Sequence, residues 1–135
     1  MTNPHFDTDL ARGLVGENLV EKFPELLKMG KVEVKTDYLA VKTGNFYVET
    51  WQYGPAGVSA KKQSGINITH AETWAFVIPQ TMCVYYIAVE QLKALLRANN
   101  YAETKQPISN ASTRASIGRL VPVGDIAKAM LGKYE

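Results

Sequence analysis

Leu10, Leu14, Val20, Phe23 and Leu27 recur along the chain at the spacing of one face of an α-helix, which predicts a helix over residues 8 to 23. Asp7 or Thr8 supplies its cap, and Pro24, which has no N–H to donate, breaks or restarts it. Past Gly30 the pattern changes. Residues 32 to 41 are rich in valine, tyrosine and threonine, residues 46 to 52 are again β-branched and aromatic, and the "KTGN" between them predicts the turn of an antiparallel hairpin. "INITHAETWAFVIP" begins as a short helix capped at Thr69 and becomes a strand at about 74 to 78, and "MCVYYIA" (82 to 88) is a further strand. "VEQLKALLRANN" places Leu92, Leu95 and Leu96 on one side of an amphipathic helix, while "RLVPVGDIAKAML" predicts a short extended piece and a helix from about 125. The stretches 53 to 67 and 101 to 118 are the least regular. The order α, β, β, (β), α, β, β, α predicts a mixed α/β layer architecture.

A chain of 135 residues that is 46% hydrophobic suffices for one core and not for two, so residues 1 to 135 are expected to form a single domain. The formal charge is only +2, yet Lys28, Lys31, Lys42, Lys61, Lys62, Arg114 and Arg119 supply cations enough for a polyanionic partner without requiring one. One cysteine, Cys83, excludes an intrachain disulfide, and with His5 and His70 alone there is no Cys/His set for a structural zinc. The polar, acidic start is unlike a signal peptide, and no apolar run nears the roughly 18 residues of a membrane span. A cytosolic protein with no membrane partner is the expectation.

The acids change the picture more. Residues two apart on a strand share a face, so Lys35 is expected beside Asp37, and Glu49 beside Tyr47 and Trp51. A hairpin paired about its turn brings Asp37 and Glu49 together, where two carboxylates need a cation or a shared proton; otherwise both lie on the solvent face. Oxygen ligands of this kind suit Mg²⁺ or Mn²⁺. Glu17 lies seven residues after Leu10 and three before Val20, which puts a third carboxylate on the apolar stripe of the first helix. Gly13 and Gly16 flank it at a cost of roughly 1 kcal/mol each relative to alanine, either to admit backbone or ligand closely or because the helix start is frayed. The aromatics Tyr47, Trp51, Tyr53, Trp74, Tyr85 and Tyr86 serve either as core or as a base-stacking surface.

Taken in order, "GLVGENLVEKF", "VEVKTD", "TGNFYVE" and "SGINITHAETWAFVIP" resemble the PD-(D/E)xK nuclease superfamily, nearest to phage-type nucleases and archaeal-type Holliday junction resolvases. The likeness covers about residues 9 to 88. It implies a restriction-endonuclease-like fold, a mixed central sheet flanked by helices, and a site in which Asp37 is the central metal ligand. Glu49 would hold the same ion and polarise the attacking water, Glu17 would bind a second ion or orient water, and the backbone carbonyl of Thr50 would add a further ligand. Family members carry a lysine two residues after the second-strand acid, where this chain has Trp51 and then Gln52; Lys62, ahead of the "SGI" stretch, is the first candidate replacement and Lys35 the second. The activity implied is Mg²⁺- or Mn²⁺-dependent hydrolysis of DNA, at four-way junctions by a homodimer. The alternatives are a phage nuclease acting on unbranched DNA and a catalytically weak DNA-binding module.

Overall fold

A computed structural model of the chain describes residues 27–54, 61–107 and 115–130, together with Glu21, Pro24 and Glu25. Among the described residues, seven strands form two sheets. β1 (Val32–Thr36), β4 (Thr73–Ile78) and β5 (Cys83–Ala88) make a three-stranded sheet in the order β1-β4-β5. β3 (Lys61–Gln63), β2 (Asn45–Tyr53), β7 (Ala115–Pro122) and β6 (Glu103–Pro107) make a four-stranded one in the order β3-β2-β7-β6. Of the pairs among the described residues, only β1 and β4 run parallel. α-Helices at Ala40–Thr43, Val89–Ala98 and Val123–Met130 and a 3-10 turn at Gly65–Asn67 complete the mixed α/β architecture. The helix predicted over 8 to 23 falls mostly outside the described residues; Pro24, Glu25, Leu27 and Lys28 are helical, and Gly30 closes that turn at φ 66°.

The predicted hairpin does not form. β1 ends at Thr36 and pairs with β4, whereas β2 pairs with β7 and β3, so the two segments belong to different sheets. The cause is local. The Asp37 carboxylate accepts the N–H groups of Leu39 and Ala40, each at 3.0 Å, which satisfies donors at the start of a helical turn and favours it over continued strand. Gly44, at φ 74°, then receives the turn's end in the left-handed conformation that costs glycine little. "TGN" is therefore a helix exit and not a hairpin turn. The two stretches with weak periodicity hold short edge strands, β3 and β6, and the extended piece before the last helix is the eight-residue β7. The short helical turn near Thr69 lies earlier than its sequence suggests, over Gly65–Asn67.

The core joins the two sheets. Phe46 of β2 stacks on Phe76 of β4 with ring centroids 4.5 Å apart, and Trp74 meets Phe76 edge-on at 5.9 Å. Leu92 of the 89–98 helix and Ile126 of the 123–130 helix close the same cluster, all fully buried.

Asp37 also links the sheets by hydrogen bonding. Its own N–H continues the β1 ladder to the Val77 carbonyl at 2.9 Å, while its Oδ2 accepts the Tyr47 N–H of β2 at 3.0 Å. One residue thus ends β1, caps the following turn and holds the free edge of β2. Asp37→Ala, which strands three backbone donors, is expected to lower stability by about 2–3 kcal/mol in urea unfolding. An unchanged midpoint would contradict this role.

Candidate functional site

Glu33 and Lys35 alternate regularly on β1 opposite Trp74 and Phe76 of β4, so both point to one side of the sheet. The Lys35 ammonium lies 2.8 Å from Glu33 Oε1 and 4.7 Å from the centroid of the Trp74 indole. Thr69 donates its hydroxyl to Glu33 Oε2 at 2.8 Å and accepts the Trp74 indole N–H at 3.2 Å. Trp74, wholly buried, therefore anchors the acid through Thr69 and carries the lysine on its face. Burial disfavours the charged Glu33, but the hydrogen bond from Lys35, that from Thr69 and the charge of Lys35 outweigh it and hold the carboxyl below its ordinary value.

Glu49 reaches the same place from β2. It shares a recess of about 490 Å³ with Glu33, Lys35, Ser64 and Thr69, and a neighbouring recess of about 550 Å³ with Lys35, Asp37 and Tyr47. Lys35 and Glu49 thus stand where the two recesses meet. Ser64 donates a short hydrogen bond to Glu49 Oε2, and Gln52 adds a second at 3.2 Å. Gly65, at φ 53°, presses against the Glu49 backbone so closely that a Cβ there would overlap the Glu49 carbonyl. The "SG" of the sequence is thus a clamp that fixes the height of Glu49 in the sheet. Tyr47 lies across Gly118 and bonds Ser116 through its hydroxyl at 2.6 Å; burial, with the Glu49 charge, pushes its phenol up and keeps it protonated.

Asp37 lines the larger recess with Lys35 and Glu49, and its carboxylate accepts three backbone N–H groups, two at Oδ1 and one at Oδ2, which leaves about one lone-pair site for a cation. The Thr50 carbonyl accepts the Ser64 N–H and the Asn67 amide, both at 2.9 Å, which leaves it no lone pair for a cation. Glu17 and Arg114 lie outside the described residues. Lys62 is exposed, opposite Gln52 on the β3 edge, and lines neither recess.

Trp51 is a further correction. A β-bulge at Thr50 shifts the pairing, so that Glu49 faces Gly118 while Trp51 faces the adjacent Ile117, and the two side chains point to opposite sides of the sheet. Position 51 cannot deliver a lysine to the Glu49 side. The carboxylate-x-lysine spacing is met on β1 by Glu33 and Lys35, where no bulge interrupts the alternation. Glu33 is legible as that spacing within "VEVK".

Among the described residues, no group of three or more His, Cys, Asp or Glu side chains is close enough to hold a metal ion. Two carboxylates suffice for Mg²⁺, which keeps several waters and is commonly bound by one or two carboxylates plus phosphate oxygens. No helix among the described residues is long and apolar enough to cross a membrane. No family model, curated protein or solved structure matches the chain.

Removing the lysine tests the pairing. In Lys35→Met the Glu33 carboxyl is expected to titrate at higher pH than in the wild type, followed by carboxyl NMR. Because the wild-type value is depressed, the stability that the pair contributes is full above the ordinary 4.5 and is lost as pH falls through the folded-state value. Identical Glu33 titrations would contradict the arrangement. Gly65→Ala is expected to cost more than about 2 kcal/mol in thermal or urea unfolding, since left-handed strain and overlap add; a neutral effect would mean that the clamp does not exist.

Proposed function

We propose that this chain is a metal-dependent DNA endonuclease whose working groups are Glu33, Lys35 and Glu49. The observation that carries the reading is the meeting of a carboxylate-x-lysine pair from β1 with a second carboxylate from β2 in one solvent-open recess. Hydrolysis of a phosphodiester needs a water placed in line, neutralisation of charge on the phosphoryl oxygens and help for the departing oxygen. A bound Mg²⁺ or Mn²⁺ would activate the water and draw charge from the phosphate. Glu33 and Glu49 would hold it: Glu33 is depressed and already ionised at neutral pH, so that binding displaces no proton there. Lys35 would leave Glu33 for the phosphate as negative charge builds on it, which is where a cation contributes most. Thr69 and Trp74 keep the acid and the lysine in register, and Ser64 and Gln52 do the same for Glu49.

Resolution of four-way junctions by a homodimer is the finer form of this proposal, and it rests on the resemblance over residues 9 to 88. The same recess would serve a phage nuclease acting on unbranched DNA, and cleavage rates on four-way and linear duplexes separate the two. A second reading, a DNA-binding module without catalysis, is favoured by one observation: the recess shared by Glu33 and Glu49 holds two acids and not three, while Asp37 lines the neighbouring one, bound to backbone donors.

Mg²⁺-dependent nicking of plasmid DNA decides between them. Glu33→Gln and Glu49→Gln are expected to abolish nicking with DNA binding retained, and Lys35→Ala to slow turnover by roughly tens-fold or more, since the lysine acts mainly in the transition state. Lys62→Ala is expected to nick at close to the wild-type rate. No metal-dependent nicking by the wild type would leave the binding module; full activity in Glu33→Gln would remove this recess as the site.

A further inference from the structure

The side of the four-stranded sheet that turns away from Glu49 has a different chemistry. After the bulge, Trp51 and Tyr53 share that side, two residues apart on β2. The Lys61 ammonium of β3 lies 4.7 Å from the centroid of the Trp51 ring, and that of Lys105 on β6 lies 4.8 Å from the centroid of Tyr53. Both outer strands thus lay a cation across an aromatic ring of β2. Next to Trp51, a recess of about 280 Å³ receives Lys93 and Arg97 from the 89–98 helix, four residues apart and so on one helix side.

None of Lys61, Lys93, Arg97 and Lys105 makes an ion pair with a described residue. Arg119, in the same recess, is occupied: it donates to the Tyr101 carbonyl at 2.9 Å and lies 4.0 Å from Glu103, the one acid among the described lining residues. Four cations without an ion-pair partner among the described residues, gathered on one face, repel each other, which a polyanion relieves by displacing counterions. The rings restrain Lys61 and Lys105 along the sheet, so less side-chain freedom is lost on binding. From β3 to β6 the face spans three strand spacings, roughly 14 Å, or about four base-pair rises of duplex DNA.

We propose that this face is a second DNA-binding surface, which grips the phosphate backbone of duplex DNA on the side of the sheet remote from Glu49. The proposal rests on the endonuclease reading for the identity of the polyanion and on nothing in the acid recess. An enzyme acting on branched DNA would use it to hold one duplex arm while another occupies the recess.

The test is fluorescence-anisotropy titration of the full chain with a labelled linear duplex in EDTA, where no cleavage occurs, across about 50 to 200 mM salt. Replacing Lys61, Lys93, Arg97 and Lys105 by alanine together is expected to reduce the slope of log affinity against log salt by about 3 to 4, and Lys61→Ala with Lys105→Ala alone by about 2. The double variant, confined to exposed side chains, guards against a folding defect in the quadruple one. Wild-type slope and affinity in both variants would overturn the surface, as would a wild type that does not bind duplex DNA. The two proposals separate cleanly: binding through these residues without nicking by the metal-loaded protein keeps the surface and removes the enzyme. Nicking by a protein whose variants keep the wild-type slope does the reverse.

Discussion

The rest of the architecture depends on how a single carboxylate, Asp37, divides its hydrogen bonds. Two go to the N–H groups that open the 40–43 turn and one goes across to β2, while its own amide stays in the β1 ladder. The chain therefore leaves the three-stranded sheet, turns once and enters the four-stranded sheet with fixed register. That register brings Glu49 to the recess where Lys35 stands, two residues before Asp37. An acid in this position is structural by its partners, and the register it sets decides where Glu49 lies.

Backbone irregularities then sort the side chains. The bulge at Thr50 sends Trp51 away from Glu49, and the left-handed Gly65 lets the 64–67 turn approach the Glu49 backbone. One extra residue in β2 gives its two faces different chemistry, with acids and a lysine on one side and cations over aromatic rings on the other. A strand with perfect alternation would have placed Glu49 and Trp51 together and mixed the two.

Much of this was legible in the sequence and some was not, for definite physical reasons. Strands with strong β-branched or aromatic content, at 73–78 and 83–88, and the amphipathic 89–98 helix lie close to where their patterns place them. Glu49 and Lys35, candidates through the resemblance and the strand alternation, do line common recesses. The hairpin failed because "TGN" is compatible both with a two-residue turn and with a helix exit, and only the side chain of Asp37 decides between them. Period-two alternation puts Trp51 on the Glu49 side because nothing in the local pattern marks the bulge at Thr50. Short edge strands such as β3 and β6 bury too little for their pattern to stand out. Glu33 was present as Glu-x-Lys, but its value lies in Thr69 and Trp74, residues 36 and more positions away, which no local pattern connects.

On the proposed reading, Glu33 and Glu49 would hold the metal while Asp37 keeps its bonds to the backbone. Anomalous diffraction from crystals of the full chain soaked in Mn²⁺ tests it most directly. The expected result is a peak about 2.1 Å from oxygens of Glu33 and Glu49, with the Asp37 oxygens still bound to their three backbone N–H groups. A Mn²⁺ ion ligated by Asp37, or a Glu33–Lys35 recess that stays empty while the ion binds elsewhere, would contradict it.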